Sequence, residues 1–275
     1  MKIDTLQEKI DLLVRNTNFV LRRDLIKLLK EAYLKEKNNL SKKAISWILE
    51  NSKIAKKENL AICQDTGFPV LFIDVGKNAS IDFNTIYNIK KFLIESYKKN
   101  YLRESIVLPF CNKKPSYDGF VYYVDFSNKF NGINLTLLSK GFGSENKSKI
   151  KMFSPTSDIE EIIDFVVSSV KEAGPDACPP FFIGIGIGGT QELAILLSKK
   201  ALLKPLDRPN RDKFLDNLEK KILKKINSLK IGPMGFGGNF TALAVKVERA
   251  KTHIAGLAVA VNISCHALRS ATVKL

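Results

Sequence analysis

The sequence predicts a mixed α/β fold, in which a helical N-terminal region is followed by a mixed sheet with flanking helices and glycine-rich turns. Three observations carry this prediction. The first fifth of the chain has apolar residues at helical spacing. Short apolar runs typical of buried strands follow, separated by amphipathic segments. Glycine clusters such as GIGIGG and GFGG stand beside these runs.

The helices are predicted from apolar residues recurring at three and four positions and from capping residues at their ends. An acidic cap is expected to begin one of them at Asp82, and Ser157 is expected to be the N-cap of another, which stops at Gly174-Pro175. The predicted helical segments are residues 5–36, 41–58, 82–98, 157–172, 191–203 and about 209–229.

The strands are predicted from short apolar runs rich in β-branched and aromatic residues. The runs at 121–126 and 133–139 are divided by the turn-forming SNKFNG, which predicts a hairpin. The other predicted strands are FPVLFIDV at 68–75, PFFIGIGI ahead of a glycine turn, 242–248 and 257–263. Because we find no repeat, linker or break in composition, we expect residues 1–275 to form a single domain.

The composition argues against nucleic-acid and membrane partners. The chain has 275 residues, of which 45% are hydrophobic, enough to bury a core. The formal net charge of +16 is a feature of many nucleic-acid-binding proteins, but the lysines are scattered over helix faces without interleaved aromatic residues. We therefore expect no nucleic-acid partner, and the positive charge favours an acidic partner or an anionic substrate instead. No apolar run is long enough to span a bilayer and no secretory signal is evident, so we expect a cytoplasmic protein without a membrane partner.

Three of the four cysteines stand in loop-like contexts beside glycine or acidic residues: Cys63 in CQDTG, Cys178 in GPDACPP and Cys265 in NISCHA. In a reducing compartment a disulfide framework is not expected. The long separations exclude a local zinc knuckle or ferredoxin-type run, whose ligands lie a few residues apart. They leave open either a metal site assembled by the fold or buried structural thiols. Cys111 lacks such neighbours and is expected to be incidental.

Several motifs occur in order from about residue 20 to 270: CQDTG, KGFGSEN, GPDACPP, an IGG turn before a helix, GFGGNFTALAVKVE and THIAGLAVAVNISCHA. Together they resemble the alpha subunit of the class I, iron–sulfur fumarate hydratases and the related L-tartrate dehydratases. The resemblance implies a hydro-lyase that interconverts fumarate and malate or dehydrates tartrate, and its glycine-rich turns would then belong to an active site.

The same resemblance implies a [4Fe–4S] cluster whose three thiolate ligands are Cys63, Cys178 and Cys265. One iron would have no protein ligand and would act as a Lewis acid toward the substrate.

Five further positions match substrate-contacting residues of the family. Asp65 matches the catalytic base, and Gln64 beside it contacts substrate. Arg103 matches a carboxylate-binding arginine, and His253 matches a histidine that donates a hydrogen bond or a proton. Gly143 matches a glycine whose backbone approaches the substrate.

Structural roles remain open for several of these residues. Asp65 also suits an Asx turn that caps Gly67. Arg103 suits a solvated helix end. His253, or His266 beside Cys265, suits a supporting role next to a metal ligand.

Two departures from the family pattern are visible. Phe142 occupies the middle of the KGFG turn, where relatives have three consecutive glycines. The segment CNKKPSYDGF replaces a loop that is rich in asparagine and threonine in relatives, so that substrate preference there is expected to differ.

Relatives that are single chains continue into a second domain that supplies further contacts, whereas this chain stops after the third cysteine. The resemblance therefore implies a separate beta subunit that completes the pocket, in an α2β2 assembly. The sequence leaves two other functions open. Gly184, Gly186 and Gly189, followed by Asp207, imitate the GxGxxG fingerprint of an NAD-dependent dehydrogenase. A noncatalytic metal-binding structural subunit would carry the same three cysteines.

Overall fold

A computed structural model describes residues 3–111 and 114–275. It confirms the mixed α/β fold class, with helices at the N-terminus followed by strands and flanking helices. The helices are α1 (Ile3–Phe19), α2 (Arg23–Lys35), α3 (Asn39–Glu58), α4 (Phe83–Lys99), α5 (Phe142–Glu145), α6 (Ile159–Ala173), α7 (Gln191–Leu203) and α8 (Lys213–Asn227). The strands are β1 (Phe68–Lys77), β2 (Val121–Asn131), β3 (Ile133–Lys140), β4 (Lys149–Phe153), β5 (Phe181–Ile187), β6 (Ala242–Arg249), β7 (Leu257–Ser264) and β8 (Ser270–Lys274).

Part of the unusual segment CNKKPSYDGF, at residues 112 and 113, lies outside the described residues, as do residues 1 and 2. Within the described ranges, no helix is both long and apolar enough to cross a membrane.

The strands form two four-stranded sheets, with the orders β2-β1-β3-β8 and β4-β7-β5-β6, where a single sheet was predicted. Each sheet mixes parallel and antiparallel pairs. The chain divides into two compact units, and the prediction that 1–275 is a single domain stays a prediction. The first unit contains the chain up to Arg22, Asn51–Phe142 and Arg269–Leu275, and the second contains Arg23–Glu50 and Gly143–Leu268.

In the first unit, β1 lies between β2 and β3, so the predicted hairpin is wrong. Strand β1 pairs in parallel with β2 and antiparallel with β3. Its side chains are almost all buried, whereas most of β2 is exposed at the sheet edge. The apolar β1 therefore occupies the centre, and the chain crosses its end at Gly132, whose φ of +85° suits glycine. Helices α1 and α4 pack with this sheet around a core that includes Leu13, Leu71 and Phe92.

In the second unit, the sheet is covered on both faces. Residues such as Ile183 and Val261 pack with helices α6 and α8 in the larger core. The opposite face carries small residues against α7, where Ala194 contacts Ala258 and Ala260.

The GxGxxG-like glycines serve this close packing. Gly184 and Gly186 lie inside β5, and a Cβ on Gly186 would lie 2.0 Å from the carbonyl oxygen of Ala194 in α7. Asp207, the acidic residue that follows these glycines, pairs with Lys27 at 3.1 Å, and this lysine holds the pKa of the Asp207 carboxyl below its usual value. The dinucleotide-binding alternative therefore has no support from these residues.

The helix ends follow the capping signals with two exceptions. Asp82 is the N-cap of α4 and accepts the Thr85 N–H, as predicted. Helix α6 begins one residue later than predicted, because Asp158 and Glu161 form a capping box, whereas Ser157 bonds the Glu161 carboxylate. The predicted helical stretch 5–36 is two helices, separated by residues 20–22.

Candidate functional site

The CQDTG segment is fixed in the first unit by the residue that precedes it. The N–H of Ile62 donates to the carbonyl of Asn18 at 3.0 Å, and the Ile62 carbonyl accepts the Asn51 side-chain amide at 2.9 Å. Cys63 follows, half-buried, and its thiol donates to the exposed Gln64 side-chain oxygen at 3.4 Å. A backbone carbonyl and a side-chain amide from other parts of the chain thus hold Ile62 in place, and with it the neighbouring Cys63 and Gln64.

Both oxygens of the half-buried Asp65 carboxylate accept backbone N–H groups. Oδ1 accepts from Gly67 at 2.9 Å, which is the Asx turn considered above, and Oδ2 accepts from Phe142 at 2.7 Å. Gly67 has φ +76°, and a Cβ there would strike the backbone of Lys140. The turn that contains Phe142 is therefore tied directly to the predicted catalytic carboxylate. Each carboxylate oxygen retains a further lone pair for another partner.

Arg103 lies beside this segment because of Thr66, a residue that the sequence reasoning missed. The buried Thr66 hydroxyl accepts the Arg103 N–H at 3.1 Å and lies 3.4 Å from the Arg103 carbonyl, to which it donates. The Arg103 side chain is exposed. The only signal for Thr66 in the sequence was its place inside the CQDTG motif.

A small cavity borders Arg103. Its lining includes Gly67, Pro69 and Ser105, and its volume is about 10 Å³. That is room for about one water molecule, against roughly 300 Å³ or more for ordinary ligand pockets. This cavity by itself cannot hold a four-carbon dicarboxylate.

Cys178 and Cys265 lie in the second unit, in segments joined through His266. The Cys178 carbonyl accepts the backbone N–H of His266 at 3.2 Å and lies 3.1 Å from its ring Nδ1, the nitrogen that then carries the proton. His266 directly follows Cys265, so the two half-buried cysteines belong to adjoining segments. Cys178 has φ +56°, a strained conformation for a residue with a Cβ. Such strain persists only where the surroundings fix the backbone.

The donor chemistry of these cysteines fits an iron–sulfur group. The four cysteines, all within the described residues, form no disulfide, and Cys63, Cys178 and Cys265 are each half-buried while Cys111 is exposed. Thiolates are the ligands that iron–sulfur clusters require. In the described parts of the chain no three side chains of His, Cys, Asp or Glu are arranged to hold a single metal ion. Cluster binding by the three cysteines therefore stays a prediction.

The two remaining predicted residues are exposed and lie in the second unit. His253 is in the loop before β7, and its Nδ1 accepts the N–H of Ala255 at 3.2 Å, which leaves Nε2 as the proton-bearing nitrogen. Gly143 is in α5, and a Cβ there would meet only the Asp176 carbonyl at 3.9 Å. A side chain would fit in this structure, so the need for glycine at 143 rests on the approach of a ligand. The active-site roles of both residues stay predictions.

Comparison with known proteins identifies the family. A family model described as fumarate hydratase (fumerase) matches residues 7–274. The chain belongs to the fumarate hydratase family. The predicted resemblance is thereby confirmed.

Relatives of this fumarate hydratase family member are named as alpha subunits. A protein of Methanocaldococcus jannaschii named "Putative L(+)-tartrate dehydratase subunit alpha" is 39% identical over 270 residues, covering 96% of this chain and 95% of that protein. The "L(+)-tartrate dehydratase subunit alpha" of Escherichia coli (strain K12) is 28% identical over 253 residues, covering 90% and 82%. A protein of the same name from Shigella boydii matches equally. Family and names together support hydro-lyase activity.

Proposed function

We propose that this chain is the alpha-type subunit of a hydro-lyase that acts on a four-carbon dicarboxylate, either hydrating fumarate to malate reversibly or dehydrating tartrate. The observation that carries the proposal is the Asp65 carboxylate, oriented by two backbone N–H groups beside Cys63 and Gln64. The names of the relatives favour tartrate as the first substrate to test.

In this proposal Asp65 removes the proton from the carbon next to the hydroxyl-bearing carbon, and returns it in the direction of hydration. A positioned carboxylate that transfers a proton contributes roughly 10²- to 10⁴-fold to a rate. The bonds from Gly67 and Phe142 fix the direction of the carboxylate, so that it need not be ordered when substrate arrives.

The substrate is a dianion, and Arg103 and Gln64 are the residues of the first unit proposed to bind it. The exposed guanidinium of Arg103 can engage a carboxylate in two parallel hydrogen bonds. Gln64 is exposed, and its side-chain amide N–H groups can donate hydrogen bonds to a substrate carboxylate. His253 would donate a proton or hydrogen bond from Nε2, and Gly143 would allow its backbone to approach the ligand.

Cys63, Cys178 and Cys265 would hold a [4Fe–4S] cluster, with His266 orienting the segments of the last two. When bound, such a cluster supplies a Lewis acid that favours loss of the substrate hydroxyl. A beta subunit, which the names of the relatives imply, would complete the pocket in an α2β2 assembly in the cytoplasm.

The test of this proposal is Asp65→Asn in the chain coexpressed with its beta subunit and reconstituted with iron and sulfide without oxygen. We expect kcat to fall at least about 10²-fold for whichever of malate or tartrate the unaltered protein dehydrates. The iron content should be unchanged. Glu58→Gln is the control, because Glu58 is an exposed carboxylate of the same unit that pairs with Lys57 at 3.1 Å. Undiminished turnover by Asp65→Asn would remove Asp65 from the mechanism and would favour a noncatalytic metal-binding subunit.

A further inference from the structure

Arg269 is a deeply buried cation. It stands directly before β8 in the first unit and is only 1% exposed. Its Nε and Nη1 atoms are buried and have no hydrogen-bond partner among the described residues. Burying a charged group without partners is costly, so such a residue persists where its charge or shape has a use.

The surroundings place Arg269 directly behind the turn that follows β3. The N–H of Ser139, near the end of β3, donates to the Arg269 carbonyl at 3.0 Å. The Ser139 hydroxyl bonds the hydroxyl of the buried Tyr97 at 2.8 Å. The last residue of β3, Lys140, is also buried, so two cations lie near the start of the turn.

Gly141 separates the Arg269 guanidinium from the Asp65 carboxylate. A Cβ built on Gly141 would lie 3.0 Å from Asp65 Oδ2 and 3.5 Å from Arg269 Nη2. The guanidinium and the carboxylate therefore border the same backbone atom. The next residue, Phe142, donates its N–H to that same Oδ2. A hydrogen in place of a side chain at 141 is what lets the two charged groups approach each other.

We infer that Arg269 is a positioning residue of the proposed active site, which holds the Asp65 carboxylate and the Gly141–Phe142 turn in place through its buried charge. This inference rests on the proposed function for its catalytic consequence. Electrostatic attraction across Gly141 draws Asp65 toward the turn, where Oδ2 meets the Phe142 N–H. Because Arg269 is only 1% exposed, its guanidinium would act on substrate only through Asp65.

The first test replaces Arg269 by Met, which is long and uncharged, and by Lys, which keeps the charge. In the complete, reconstituted enzyme we expect Arg269→Met to lower kcat at least about tenfold with KM changed less than about threefold, because a displaced catalytic group loses rate rather than ground-state binding. Arg269→Lys should recover a large part of kcat. An unaltered kcat in Arg269→Met would overturn the inference.

Two further variants separate positioning from general damage to the fold. Gly141→Ala inserts a methyl group between the two charged groups and is expected to lower kcat about tenfold. This variant tests the inference even if Arg269→Met does not fold. Tyr97→Phe is the matched control, since it removes a buried hydroxyl that bonds Ser139 and leaves the Gly141 backbone and both charged groups unaltered. It should lower the melting temperature but leave kcat within about twofold. An equal fall of kcat in Tyr97→Phe would mean that Arg269 is merely structural, and the inference would be wrong.

A measurement without turnover keeps the inference distinct from the proposed function. Hydrogen exchange of the Phe142 amide reports its bond to Asp65, and the Arg103 amide, bonded to Thr66, is the internal reference. Arg269→Met and Gly141→Ala should speed exchange at Phe142 and not at Arg103, whereas Arg269→Lys should leave both near their unaltered rates. This result supports positioning even if the unaltered protein turns over neither substrate, whereas unchanged exchange at Phe142 would overturn it.

Discussion

The effect of Thr66→Val follows directly from the hydrogen bonds between Thr66 and Arg103. Valine has nearly the shape of threonine and lacks the hydroxyl that bonds the Arg103 backbone at 3.1 and 3.4 Å. Thr66 is 2% exposed, so the Arg103 N–H and carbonyl would lose a partner that water replaces poorly. Leaving a buried backbone group unpaired costs about 1–3 kcal/mol. We therefore expect the loop at Arg103 to loosen while the rest of the first unit stays folded.

The assay is the KM for the dicarboxylate, measured in the complete enzyme. Loosening Arg103 by about 1.4 kcal/mol corresponds to about a tenfold rise in KM, and kcat should change little because the proposed role of Arg103 is to bind substrate in its ground state. Thr66→Ser keeps the hydroxyl and is expected to remain near the unaltered value. Arg103→Met should raise KM by itself.

The double variant Thr66→Val/Arg103→Met tests whether Thr66 acts through Arg103. If Thr66 acts through Arg103, then Thr66→Val should add nothing to the KM of Arg103→Met, so that the two changes are not additive. A full additional tenfold rise in the double variant, or an unchanged KM in Thr66→Val, would refute the proposed connection.

Two other predictions concern stability. Lys246 and Glu219 form a buried ion pair at 2.9 Å, with 6% and 5% of their side chains exposed. Because Lys246→Met leaves the Glu219 charge buried and unpaired, it should lower the free energy of unfolding by about 3–5 kcal/mol in urea titrations, and Lys246→Met/Glu219→Met should regain most of that loss. A loss below about 1 kcal/mol in Lys246→Met would contradict this prediction. Burial raises the pKa of the Tyr97 phenol, although its hydrogen bond with Ser139 acts in the opposite direction. The contribution of this hydroxyl to folding stability is therefore complete below the unfolded pKa of about 10 and is lost as the pH rises through the pKa of the folded state. The stability advantage of the unaltered protein over Tyr97→Phe, about 1 kcal/mol near pH 7, should therefore shrink above pH of about 10, and a constant difference would show this reasoning to be wrong.

Local signals predicted much of the fold. The run FPVLFIDV is apolar on both faces, which is typical of a central strand, and it forms β1. Asp82 could be identified as a cap because a side-chain acceptor directly precedes a helical pattern. These features depend on residues close together in the sequence, and for that reason they could be predicted without a structure.

Strand pairing depended on distant residues and was mispredicted. The turn-like SNKFNG suggested that β2 and β3 pair with each other, but β2 continues to Asn131 and the chain crosses β1 at Gly132. A short connection between two strands indicates a reversal of direction and does not exclude a third strand between them. The division into two sheets was missed because it depends on the same pairing of distant strands, and β4, a five-residue strand with two lysines, was itself not predicted.

In the candidate site, too, residues inside a local motif were predicted, whereas residues placed by distant contacts were not. The motif CQDTG drew attention to Cys63, Gln64 and Asp65, whereas the motif offered no partner for Thr66. Arg269 was missed because an arginine among small and polar residues near the chain end is expected to be exposed. Its burial follows from the packing of β8 beside β3, which only the structure supplies.

Iron content tests the central claim most directly. We would replace Cys63, Cys178, Cys265 and Cys111 singly by Ser, coexpress each with the beta subunit, reconstitute without oxygen, and measure iron and visible absorbance. The account predicts that each of the first three variants loses the cluster, and that Cys111→Ser, at the exposed cysteine, retains it. A full complement of iron in Cys63→Ser, Cys178→Ser or Cys265→Ser would contradict the claim that these three thiolates hold one cluster.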